Sequence, residues 1–253
     1  MSTTLAFVGD FTDAIEYIFS SRQTREGTTV GGTQFLELTW EHLKLSFAAM
    51  AIACVATIPV GLWLGHIRRG GFLAISMSNV GRAVPSLALI AFFVAYLGVG
   101  FANLTLALLL LAVPPVLTNT YVAVTQVDPD TVDAARGQGM TEIEIVRKVE
   151  LPLALPLIFG GIKTSAVNVV ATATIAPLAG VNTLGDPIIN ASVYGDTGRL
   201  AAAIVVATLA IFTELSLSAI QRAVTPEGLK LESDPGPRPG RRFPNPIRRE
   251  ATT

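Results

Sequence analysis

The sequence predicts an all-α integral membrane protein of five spans, with its N-terminus outside the membrane and its C-terminus in the cytoplasm. Three observations carry this. Charged residues are 15% of the 253-residue chain, against about 25% in soluble domains. Four stretches contain no Asp, Glu, Lys or Arg: Leu45–Gly65, Ala83–Val127, Thr164–Gly185 and Leu200–Thr213. Lys and Arg gather at alternate connections between these stretches, as cytoplasmic loops require. A soluble bundle of unusually apolar helices is disfavoured, because charge-free runs of this length offer no face to water.

Residues 1–42 read as an extracellular N-terminal segment. Val8, Phe11, Ile15, Ile18 and Phe19 recur at helical spacing, with Asp10, Asp13 and Glu16 between them. That pattern fits an amphipathic helix on the outer surface or an ordinary packed helix of the same fold, and the periodicity does not separate the two. Residues 1–9 hold no basic residue, so the first span is expected to direct insertion itself.

The core, residues 43–222, holds the spans. The first is expected at 43–65, the second at 76–97, the third at 104–124, the fourth at 153–178 and the fifth at 200–220. The run Ala83–Val127 is about twice the ~20 residues that cross a bilayer as a helix, so it must fold back. Gly98, Gly100 and Asn103 punctuate it. Continuous apolar runs without strict alternation favour helices over a closed barrel. Prolines at 59, 85, 114, 115 and 156 predict kinks.

Arg68, Arg69, Arg82, Arg136, Arg147, Lys148 and Arg222 fall on the predicted cytoplasmic side, and Arg22, Arg25 and Arg199 on the other, with Lys44 at its border. The tail, 223–253, holds six prolines and few large apolar residues and is expected to be disordered. Its arginine pairs, Arg241-Arg242 and Arg248-Arg249, are placed to retain topology or to touch anionic lipid.

Composition excludes several functions. A net charge of −1 rules out a strongly basic nucleic-acid binder. One cysteine rules out an internal disulfide framework and a multi-cysteine metal site. His42 and His66 lie on opposite sides of an apolar run, which argues against a histidine-based metal site.

Residues 128–152 carry the strongest functional signal. Asp128 can cap a helix with Pro129 at its first position. Glycines at 137 and 139 end it, and Thr141-Glu142-Ile143-Glu144 has the spacing of a capping box that opens a second helix. Such an elbow, projecting from the cytoplasmic side, is more than a connection requires and reads as a docking surface.

Asp133-Ala134-Ala135, three residues, Gly139, nine residues and then Val149-Glu150-Leu151-Pro152 resemble the EAA loop of binding-protein-dependent ABC importer permeases. The family pattern has Glu at the first position and Ile at the position of Val149. The stretches Val84–Leu89, Leu117–Tyr121, Ala134–Thr141 and Lys148–Pro156 resemble the osmoprotectant branch of that family, the permeases for glycine betaine, carnitine, choline or proline betaine. The sequence departs from the glycine-rich run that often precedes Leu184-Gly185-Asp186.

The resemblance implies a type I ABC importer permease in the plasma membrane of a prokaryote, and no enzyme by itself. Two ATP-binding subunits would dock on the loop through Asp133, Ala134, Ala135, Arg136, Gly137, Gly139, Met140, Thr141, Val149, Leu151 and Pro152. The small residues Ala134, Ala135 and Gly139 would let the loop helix seat in a groove of the ATPase. A second permease, as a copy or a paralogue, would complete the path, and an extracellular solute-binding protein would deliver solute for alternating access. The chain shows no GxxxxGK[ST] phosphate loop, so ATP and magnesium are expected on the partner, with no cofactor or metal here.

Polar residues inside the spans are candidates for the path: Asn119, Thr120, Tyr121, Asn168 and Thr172, with Thr174 and Lys163 behind them. Interhelix hydrogen bonding is the competing role for Asn and Thr, and snorkelling for Lys163. Trp63, Tyr96 and Tyr121 are too scattered to form an aromatic cage for a quaternary amine. An ion-coupled secondary transporter would need a deep acidic residue, and Glu214 near the inner interface is the nearest to one. A permease for another small solute such as an amino acid, and a membrane scaffold that recruits a partner through the loop, stay open.

Overall fold

A computed structural model describes residues 2–23 and 29–225. Helix α1 covers Ser2–Phe19 and is followed by a two-stranded antiparallel ribbon, β1 (Ser21–Gln23) and β2 (Thr29–Gly31). Then come α2 (Thr33–His66), α3 (Gly71–Ala83), α4 (Ser86–Leu97) and α5 (Phe101–Thr125). An elbow follows, made of α6 (Pro129–Gly137), α7 (Glu142–Ile145) and a π-helical stretch, Val146–Glu150. Helix α8 (Leu151–Thr172) runs into a 3₁₀ segment (Ala173–Ala179), and the short α9 (Asp186–Ile189) leads to α10 (Ala191–Val224).

Four stretches are helical, long and apolar enough to cross a membrane: Thr33–His66, Phe101–Thr125, Glu142–Ala179 and Ala191–Val224. They contain the first, third, fourth and fifth spans read from the sequence. The second, 76–97, is not one helix. It divides into α3 and α4 at Val84-Pro85, where Pro85 takes ψ 122°. Proline offers no N–H to the preceding turn and pushes its predecessor out of the helical region. The 12 residues of α4 make about 18 Å of helix, less than the ~30 Å of a hydrocarbon core. Pro59, Pro114 and Pro156 lie inside unbroken helices.

The centre of the molecule is the pair α2 and α5. Leu45, Ala49, Ala53, Thr57, Gly61 and Gly65 recur every four residues on α2 and are all buried. Leu45, Ala49 and Ala53 meet Leu104, Ala107, Leu108 and Ala112 on α5, and Val169, Ala173 and Ala176 close the same core. Small residues at this spacing let membrane helices approach closely. The fold-back between α4 and α5 is built as its residues suggest. Gly98 and Gly100 take φ 82° and 138°, and the Asn103 amide donates to Gly98 O at 2.9 Å.

Helix α1 is a packed helix of the fold. Ala14 and Tyr17 are buried against Phe35 of α2 and Tyr194, Ala201 and Ala202 of α10, and the rings of Tyr17 and Phe35 meet edge to face at 6.0 Å. Of its apolar stripe, Ile18 packs on the same cluster, while Phe11, Ile15 and Phe19 are exposed, Phe19 by 82%. Near Leu184-Gly185-Asp186, the Thr183 hydroxyl donates to Ala173 O at 2.8 Å and the Tyr194 hydroxyl donates to Asp186 at 2.6 Å. Helix α10 is interrupted at Gly195, which takes φ 70° and ψ 176°. The expected disordered tail lies outside the described residues from 226 onward.

Candidate functional site

The elbow between α5 and α8 is held together by local chemistry. The Asp128 carboxylate accepts from Asp130 N at 2.9 Å, with Pro129 opening α6. Asp130 in the first turn and Arg136 in the last complement the helix dipole. After Gln138 the chain turns through Gly139 at φ 84°. Thr141 and Glu144 then form the capping box: Thr141 N donates to the Glu144 carboxylate at 3.0 Å, and Glu144 N donates to the Thr141 hydroxyl at 3.4 Å.

Charges brace the turn. Arg136 grips Glu142 with Nε and Nη2, both at 3.1 Å, and reaches Asp133 at 2.8 Å. That pairing holds the Glu142 carboxyl below its usual range and raises the Arg136 guanidinium. Glu144 accepts from Lys148 at 2.9 Å, and this bond together with the Thr141 cap lowers its carboxyl to about 2.

The elbow also has its own small core: Val127, Val132, Ala135 and Ile145, with Met140 and Val149 packed on it. This changes the reading of the small residues. Ala135 is mostly buried in that core, at the lining of a shallow groove. Ala134 faces out, beside Asp130, Thr131 and Gln138 around a shallow groove floored by Met140 and Val149. Gly137 and Gly139 have open space where a Cβ would sit. Within this chain Gly139 is therefore needed for its left-handed backbone. Leu151 and Pro152 form the half-buried first turn of α8.

Residues that the sequence reading passed over tie this elbow to the membrane helices. His66 ends α2, and its imidazole lies between two carboxylates: Nδ1 is 2.8 Å from Glu150 and Nε2 is 3.0 Å from Glu142. The side chains of His66 and Glu150 are 5% and 4% exposed. Arg68, with φ 50°, donates from Nη2 to Val127 O at 3.1 Å. A histidine at the end of an apolar run and a glutamate inside the Val-x-Leu-Pro motif were the available signals. Their separation of 84 residues hid the contact.

The path candidates scatter. Thr120 is fully buried, donates to Val116 O at 2.7 Å and faces α2. It lines no path within this chain, because the close approach of α2 and α5 covers it. Asn119 donates to Pro115 O at 2.8 Å and packs on Gly161 of α8. Tyr121 sets its hydroxyl against Gly71 of α3. Asn168 is exposed one turn beyond the exposed Thr164, and Thr172 is half-buried on the same helix. Thr174 donates to Ala171 O at 2.7 Å. Lys163 does more than snorkel: it donates to the Ser218 hydroxyl at 3.2 Å, with Glu214 at 3.8 Å. Glu214 is thus engaged with a cation. Among the described residues no group of three or more His, Cys, Asp or Glu is placed to hold a metal ion.

Long apolar helices around a small-residue core, with a capped helical elbow at one end, have the build of a multi-pass membrane subunit. The chain belongs to the family described as binding-protein-dependent transport system inner membrane component, whose model matches residues 57–227. It is a multi-pass membrane protein of a family that works with an ATPase subunit and a binding protein. It is 36% identical over 200 residues to the glycine betaine/carnitine/choline transport system permease protein OpuCB of Bacillus subtilis, covering 79% of this chain and 92% of that one. The carnitine transport permease protein OpuCB of Listeria monocytogenes is 35% identical over 200 residues, with the same shares covered. In fold it matches an inward-facing MetNI methionine ABC transporter structure with a TM-score of 0.64, at 23% identity, over 76% of this chain and 96% of that one.

Proposed function

We propose that this chain is the permease subunit of an ATP-driven importer for an osmoprotectant such as glycine betaine, carnitine, choline or proline betaine. The observation that carries the solute class is the 36% identity across 92% of a permease named for glycine betaine, carnitine and choline. In this reading five crossings place the N-terminus outside and the elbow and C-terminus in the cytoplasm. α3 and α4 together make the second crossing.

Two ATPase subunits dock on the elbows of two permeases, this chain and a copy or a paralogue. ATP and magnesium are held by the ATPase, and an extracellular binding protein delivers the solute. The outward face of α6, Asp130, Thr131, Ala134 and Gln138, meets the ATPase. The exposed Asn168 and Thr164 stripe of α8 faces the path. The test is uptake of radiolabelled glycine betaine, carnitine, choline and proline betaine into proteoliposomes of the assembled transporter. ATP-dependent uptake of at least one is expected, and uptake of none while an amino acid is imported overturns the solute class.

A further inference from the structure

We propose that His66 is a positioning residue that carries movement of the docking helix α6 into the membrane core through α2. The proposal rests on the reading of α6 as the ATPase docking surface, and it is independent of the solute.

The end of α2 grips both ends of the elbow. His66 holds Glu150, the last residue before α8, at 2.8 Å, and Glu142, the first residue of α7, at 3.0 Å. Two residues on, Arg68 takes a left-handed backbone and holds Val127 O at 3.1 Å, at the elbow's entrance. A non-glycine residue in that region is strained and persists only where its surroundings fix it. Glu142 in turn is the residue that Arg136 of α6 grips with two bonds of 3.1 Å. The chain of contacts is therefore Arg136 to Glu142 to His66 to Glu150, and it joins α6, α7, α2 and the start of α8.

Each ring nitrogen of His66 lies within hydrogen-bond distance of a carboxylate, so the ring is held from both sides. Hydrogen bonds of this length fix the direction of both groups. Glu150 closes the π-helical stretch Val146–Glu150. π-turns inside helices are frequent at functional sites, and this one ends on the carboxylate that His66 holds. Beyond the latch, Gly61 and Gly65 press α2 against Thr120 and Val124 of α5 with no side chain between. A displacement of α6 thus reaches a layer that is packed too closely to absorb it.

The test uses the whole transporter, permease with its ATPase, in lipid nanodiscs. Cys54 is the chain's one cysteine and lies on α2, in a groove beside Phe47, Ala166 and Phe212. A bimane fluorophore on Cys54 reports movement of α2 against α8 and α10 when ATP and vanadate are added. In the wild type the emission shifts. In His66→Ala the ATPase still co-purifies, and the shift falls at least threefold. His66→Gln, which keeps two N–H donors on one amide, restores at least half of it. Glu142→Gln breaks one arm only and gives an intermediate shift, so the result stands even if His66→Ala folds poorly. A full wild-type shift in His66→Ala overturns the proposal. So does the absence of any shift in the wild type, or loss of the ATPase from His66→Ala and His66→Gln alike.

Discussion

Thr120 on α5 lies directly on Gly61 of α2: a Cβ added at Gly61 would sit 2.7 Å from Thr120 Cβ. One turn along, a Cβ at Gly65 would sit 2.6 Å from Val124 Cβ. The two helices approach through these glycines, and a methyl group at either forces them apart. Gly61→Ala is expected to cost about 1–3 kcal/mol, the usual range for overpacking. Gly160→Ala is the control, because its Cβ would meet nothing within 4 Å. It is expected to be neutral or to stabilise by up to about 1 kcal/mol through helix propensity. Thermal unfolding of the detergent-purified variants checks both, and equal melting temperatures for the two would contradict the packing argument.

Gly139 makes the opposite case. Its surroundings are open, and only its backbone, at φ 84°, demands glycine. A side chain there costs about 1–2 kcal/mol for left-handed geometry, and Asn or Asp pays less than a β-branched residue. Gly139→Asn is therefore expected to keep more ATPase through co-purification than Gly139→Val. Equal loss in both would mean that space on the partner's side decides, as the sequence pattern alone suggested.

The limit of the sequence is visible at these residues. The apolar helices that contain 43–65, 104–124, 153–178 and 200–220 were legible because long runs nearly without charge offer no polar face to water. The caps at Asp128 and Thr141 were legible because their partners lie two and three residues away. The break at Pro85 was read as a kink, since a proline in an apolar run does not say whether neighbouring helices will re-satisfy the backbone. That Ala135 sits mostly in the elbow's own core while Ala134 is exposed was not legible, because composition cannot tell the inner face of a nine-residue helix from its outer face. Thr120 was read as path-lining because a polar residue in a span bonds its own helix as readily as a solute.

The elbow carries an acid-resistant cap. Glu144 is lowered to about 2 from an ordinary 4.5 by Lys148 and by Thr141. A carboxyl depressed on folding contributes stability that is fully present above its unfolded value and is lost as the pH falls through its folded value. The cap should thus persist from neutral pH to below about 4.5 and fade as the pH approaches about 2. With its side chain 41% exposed, Glu144 should titrate closer to the ordinary value in high salt, where exposed pairs are screened. Carbon-13 NMR of the Glu144 carboxyl, at low and high salt, measures this. A midpoint near 4.5 in low salt would rule the cap out as a source of stability.

The orientation of the chain can be tested from the distance between two of its surfaces. Helix α2 has 34 residues, about 50 Å of helix, which is longer than a bilayer's hydrocarbon core. Its first turns, at Phe35, meet α1, and its last residue, His66, meets the elbow. α1 and the elbow therefore lie at opposite ends of one helix long enough to cross a membrane, and the proposed topology sets them on opposite sides of it. In the proposed orientation, which the excess of Lys and Arg near the elbow supports, that end is cytoplasmic. Asp10 on α1 and Thr131 on α6 are both exposed, so a cysteine at either, in a Cys54→Ser background, is open to a membrane-impermeant maleimide. Asp10→Cys is expected to label in intact cells, and Thr131→Cys only after permeabilisation. The reverse pattern would invert the topology and move the docking face outside. Labelling of both in intact cells would contradict the crossing of α2 itself.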